Sequence, residues 1–76
     1  MSDYRIAVFL STRSVMKAER AFVLAGIPIR TVPVPRHISS ECGIAIRFLA
    51  SYEKQAWEIA TAESISMNGV HDEKPG

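Results

Sequence analysis

The chain has 76 residues, 47% apolar and 22% charged, with nine basic against eight acidic side chains and a net charge of +1. That is the make-up of one small globular domain, too short for two and too apolar for disorder. The charge balance gives no electrostatic case for nucleic acid or for an anionic membrane surface, and no apolar run approaches the roughly 20 residues of a membrane span.

A chain this short buries a small core and is often stapled by disulfides, a metal or a partner. The single cysteine, Cys42, excludes an internal disulfide. Cys42 and His37 would supply two of the four ligands a structural zinc wants, so no metal and no cofactor is expected. Self-association is the staple that remains. The opening MSDYRIAVFLSTRS carries an acidic residue at Asp3, and its apolar stretch is too short for a signal peptide. With a lone cysteine, that reads as a chain of the reducing cytoplasm.

YRIAVFL, residues 4–10, is a β-branched-rich run of strand length, apolar on both faces. Such a strand is covered on both sides, or covered on one and paired with another chain. A helix over 12–25 follows. Ser11 or Thr12 caps it, Val15, Ala18, Phe22 and Ala25 form its stripe, and Gly26 stops it. IPIRTVPVP, residues 27–35, is extended, and its prolines suit a sheet edge. RHISSEC, residues 36–42, forms a polar loop, and GIAIRFL, residues 43–49, a third strand. Ser51 caps a second helix running to about Ser64, with Tyr52, Ala56, Ile59 and Ala60 as its stripe. NGVHDEKPG has turn formers, charge and little apolar content, so residues 67–76 read as a flexible tail after a single domain at 1–66.

The order is β-α-β-β-α, an α+β two-layer sandwich. A right-handed crossover places the second strand parallel to the first, and the third slots antiparallel between them. This is a ferredoxin-like arrangement truncated of its last strand. The first strand is left at an open apolar edge, which predicts a homodimer through that edge.

This topology sets the chemistry. The third strand starts where the first ends, so Cys42 falls beside Ser11, Thr12 and Arg13 at a helix N-terminus. Unpaired amides and the helix dipole favour an anion there, and the thiolate is the reactive form of cysteine. Arg36 and His37 bring positive charge in the same loop, Ser40 is a hydroxyl donor or a turn former, and Gly43 allows close approach to the sulfur. Glu41 would oppose the thiolate if it faced the sulfur. The residues alone leave Cys42 open between a nucleophile and a small buried hydrophobe. A Cys–His hydrolase would need an orienting third group and a cleft that so short a chain does not wall.

Ala18-Glu19, Gly26-Ile27-Pro28, Pro33-Val34-Pro35-Arg36, the serines before Cys42-Gly43 and the apolar strand after them stand in that order over roughly residues 4–60. They carry a resemblance to a family of small bacterial selenium/sulfur carrier-like proteins. It implies a carrier in which Cys42 holds the chalcogen as a persulfide-type adduct, with Pro33, Pro35, Arg36 and Ser40 shaping the loop. The implied partner is a cysteine desulfurase or a selenium-metabolism enzyme. Two other functions stay open: a non-catalytic interaction module or regulatory subunit in which Cys42 packs, and a thiol redox sensor.

Overall fold

A computed structural model describes the protein over residues 3–40 and 42–74. The elements run β1 (Tyr4–Phe9), α1 (Thr12–Leu24), β2 (Ile29–Pro33), β3 (Ile44–Leu49), a 3-10 turn at Ala50–Tyr52, α2 (Glu53–Ala62) and β4 (Met67–Asp72). The four strands form one antiparallel sheet in the order β2-β3-β1-β4, with β3 between β1 and β2. This is the α+β arrangement expected, with the β-α-β-β-α order intact and one strand more.

That extra strand corrects the reading of the C-terminus. Residues 67–72 are β4, hydrogen-bonded along β1 from Phe9↔Met67 to Arg5↔Asp72. The ferredoxin-like sheet is complete, and the free β1 edge through which a dimer was expected is occupied. β1 is instead a central strand, and its double-sided apolar character follows. Ala7 and Phe9 face the helices, whereas Ile6 and Val8 face the other way.

Each face of the sheet has its own core. Under the helices, Phe9, Val15, Phe22, Ile27, Ile46 and Phe48 are buried together, with the Phe22 and Phe48 rings 6.4 Å apart and tilted by 58°. Such an aromatic pair adds about 0.5–1.5 kcal/mol beyond its burial. On the opposite face, Ile38 from the β2–β3 loop packs on Ile6, Val8 and Ala45, with Val32 and Val34 at the margin. The loop after β2 is therefore a lid over the second face of the sheet.

Both helices end in the same hydrogen-bond motif. After α1, Gly26 takes φ +82°, its N–H donates to Val23 and the Ile27 N–H donates to Phe22 at 3.0 Å. After α2, Ser64 takes φ +55°, its N–H donates to Thr61 and the Ile65 N–H donates to Ala60 at 2.8 Å. These are Schellman caps, each burying the apolar residue that follows the left-handed one. α2 starts from the 3-10 turn, with no side-chain cap at Tyr52 and none from Ser51.

Charges fasten the end of β4. Arg5 Nη1 lies 2.6 Å from Asp72 Oδ1, and Arg5 Nε lies 3.2 Å from Glu53 Oε1 on α2. Arg47 pairs with Glu73, and its guanidinium stacks 3.5 Å over the centre of the Tyr4 ring. The Glu73 hydrogen bond above all holds the Arg47 guanidinium above its ordinary pKa.

Candidate functional site

Cys42 stands two residues before β3, where that strand meets the end of β1 and the start of α1. Ser11 is the N-cap of α1, its hydroxyl accepting from the Ser14 N–H at 3.3 Å while its carbonyl accepts from the Val15 N–H at 3.2 Å. The Thr12 and Arg13 amides are left without an acceptor inside the helix. Thr12 Oγ1 lies 3.8 Å from Cys42 Sγ, within reach of a weak hydrogen bond to sulfur. The expected meeting of Cys42 with the helix start is thus present, and Thr12 makes the contact.

The sulfur sits at the rim of the helix-side core rather than in open solvent. Cys42 is 6% exposed and packs with the cluster that holds Phe9 and Val15. Ser40 fixes the backbone at this point, its Oγ accepting from the Cys42 N–H at 3.3 Å. That is the turn-forming use of a serine, applied to the amide rather than to the sulfur. Gly43 is exposed on the other side, and a Cβ built on it would meet nothing within 4 Å. Open space therefore lies beside the residue that follows the cysteine.

His37 lies elsewhere, with Arg36 just before it in the chain. They occupy the tip of a turn closed by the Ile38 N–H donating to the Pro35 carbonyl at 3.0 Å. His37 Nε2 lies 3.3 Å from the Asp72 carbonyl at the end of β4. Asp72 is opposite Arg5 near the start of β1, whereas Thr12 follows its far end. At about 3.3 Å per strand residue, Arg5 and Phe9 are already some 13 Å apart. His37 and Cys42 thus belong to opposite ends of β1. Arg36 is exposed and makes no ion pair with a described residue. Burial of Ile38 is the reason: seating it on Ile6 and Val8 carries the turn across the sheet, away from the sulfur. Glu41 lies outside the described residues.

The outer face of α1 is apolar beyond what the stripe of Val15, Ala18 and Phe22 predicts. Met16, Val23 and Leu24 are 64%, 59% and 81% exposed. Their signal in the sequence is plain once sought, since all three fall off the stripe of Val15, Ala18 and Phe22. Among the described residues, no group of three or more His, Cys, Asp or Glu side chains converges to hold a metal. No described helix is long and apolar enough to cross a membrane.

Fold and site together define a small ferredoxin-like α+β domain with one cysteine seated at a helix N-terminus. A profile of the family described as "Putative Se/S carrier protein-like" matches residues 3–72, nearly the whole chain, and the protein belongs to that family. No curated protein and no solved structure matches the chain.

Proposed function

We propose that the protein carries sulfur or selenium on Cys42. The observation that carries this reading is the position of the chain's sole cysteine. It lies in a serine-fixed turn, 3.8 Å from Thr12 at the start of α1, within a chain of the carrier-like family. The start of a helix, with its open first-turn amides, is the kind of place where anionic groups of a ligand or partner bind.

The chemistry is a thiol–persulfide exchange. The Cys42 thiolate attacks the terminal sulfur of a cysteine persulfide on a donor enzyme such as a cysteine desulfurase. The donor's S–S bond breaks, the donor cysteine leaves as thiolate, and the sulfur with its proton remains on Cys42 as a new persulfide. No external oxidant or reductant enters, because the transferred sulfur keeps its oxidation level. Delivery is the same step with the acceptor's nucleophile attacking the outer sulfur. A selenium cargo follows the same balance.

Incubation with a cysteine desulfurase and cysteine, followed by intact-mass measurement, tests this reading. Wild type is expected to gain the mass of one sulfur atom and Cys42→Ser none. No gain on wild type, either from several desulfurases or from inorganic polysulfide, would remove the carrier.

The burial of Cys42 favours one other reading. A cysteine that is 6% exposed within the helix-side core can be a packing residue, and the domain then acts as an interaction module. In that case Cys42→Ser leaves partner binding intact.

A further inference from the structure

The solvent face of α1 departs from an ordinary surface helix, whose outer face is polar and charged. Counted at 100° per residue from the buried stripe, Met16, Arg20, Arg13, Leu24 and Lys17 fall opposite the core, with Val23 at their edge. Three large apolar side chains and three cations therefore share one exposed face. Arg13, Lys17 and Arg20 make no ion pair with a described residue, while Arg5 and Arg47 are engaged by carboxylates. Two shallow grooves run along this face. One is lined by Thr12, Arg13, Met16, Lys17 and Arg20, and the next by Met16, Glu19, Arg20, Val23 and Leu24. The first begins at Thr12, the residue in contact with Cys42.

We infer that this face of α1 is the dock for the enzyme that exchanges the chalcogen with Cys42, through an acidic surface that carries its own apolar residues. The inference rests on the carrier reading and names the surface through which that carrier meets its protein donor. Charge settles the occupant. A second copy placed by two-fold symmetry would set Arg13, Lys17 and Arg20 against themselves, which repels. An acidic partner neutralises the row and buries Met16, Val23 and Leu24 in one contact, and a groove that starts at Thr12 brings its reactive cysteine to the sulfur. Glu19 borders the second groove and Glu63 lines a neighbouring one with Leu24, so against Arg13, Lys17 and Arg20 the face keeps a net positive charge.

The test compares two sulfur donors. One is a cysteine desulfurase with cysteine, which must dock. The other is saturating inorganic polysulfide, which need not; there the Cys42 thiolate takes a terminal sulfur and a chain shorter by one sulfur leaves. Wild type, K17E/R20E and M16S/L24S are loaded with each and read by intact mass. Polysulfide is expected to load all three to the same extent. The desulfurase is expected to load both variants more slowly, by roughly tenfold or more for K17E/R20E. Its rate on wild type is expected to fall as salt rises through the screening range. Equal desulfurase rates for wild type and both variants would overturn the dock while leaving the carrier standing. Loading of wild type by polysulfide but by no desulfurase would overturn it too. Loading from neither donor would remove the carrier itself. Salt-sensitive binding to phosphatidylglycerol vesicles, lost in K17E/R20E, would assign the face to a lipid surface instead.

Discussion

Thr12 Oγ1 and Cys42 Sγ are 3.8 Å apart across thirty residues of sequence, which joins the first turn of α1 to the loop that enters β3. The contact exists because β3 runs antiparallel beside β1, so the start of one strand meets the end of the other. A hydroxyl at that distance can donate to a thiolate and helps hold the sulfur in place. Replacing Thr12 by Val removes the donor with little change in volume. Alkylation of Cys42 by iodoacetamide is then expected to slow several-fold, in keeping with the roughly 1 kcal/mol a hydrogen bond contributes. Thr12→Ser is expected to keep the wild-type rate. Equal rates for all three proteins would show that the hydroxyl does not act on the sulfur.

Gly43 offers a separate test of the approach to the sulfur. A Cβ there meets nothing within 4 Å and no left-handed backbone is required, so Gly43→Ala is expected to fold normally. Its stability in urea is expected within about 1 kcal/mol of wild type, on the stabilising side. Sulfur loading from a desulfurase is expected to slow, because the added methyl group occupies space a docked enzyme would use. Unchanged loading would place the approach on another side of Cys42.

Ser64 bears the left-handed position of the α2 cap at φ +55°, a conformation glycine takes without cost and other L-residues do not. Ser64→Gly is expected to raise stability by up to about 1 kcal/mol, read as a higher urea midpoint at unchanged slope. Gly26→Ala, at φ +82°, is expected to lower stability by a similar amount. Opposite signs from this matched pair are the signature of the two Schellman caps.

Ending the chain after Ser66 removes β4. The edge of β1 then loses its ladder, and Met67 and Val70 leave the helix-side core. The Arg5–Asp72 and Arg47–Glu73 pairs go with them. The truncated chain is expected to lose its cooperative urea transition. Retention of a sharp transition with native circular dichroism would mean that residues 67–76 behave as a tail.

The fold was legible in the sequence where its patterns are regular. The apolar run of β1, the Val15–Ala18–Phe22 stripe and Gly26 after it, and the proline-marked strand at the sheet edge all have the period or punctuation that their structure requires. β4 was not legible, for a specific reason. The register shifts between Val8 and Phe9, so Gly69 faces Val8 while Met67 faces Phe9. The extra residue, Asn68, turns Met67 and Val70 to the same face although they are three apart. A reading based on period two sees no strand in that spacing, and Asn68-Gly69 reads as a turn.

The site was legible to the same depth. Cys42 beside Thr12 follows from strand order alone. The place of His37 does not, because it depends on a tertiary event: Ile38 seats on Ile6 and Val8, and the turn that carries His37 reaches the Asp72 carbonyl instead of the sulfur. Nothing in the local sequence of a polar loop announces that its one isoleucine will close over a sheet face.

The most direct test of the carrier account is the rate of Cys42 alkylation in the folded protein, followed through low concentrations of urea. A carrier cysteine reacts from the native state. Its rate is expected to be substantial in buffer and nearly independent of urea until the unfolding transition begins. A buried packing cysteine reacts only through opening of the structure, so its rate would be negligible in buffer and would climb with urea in step with the unfolding equilibrium. The second result would contradict the account and leave the domain as an interaction module.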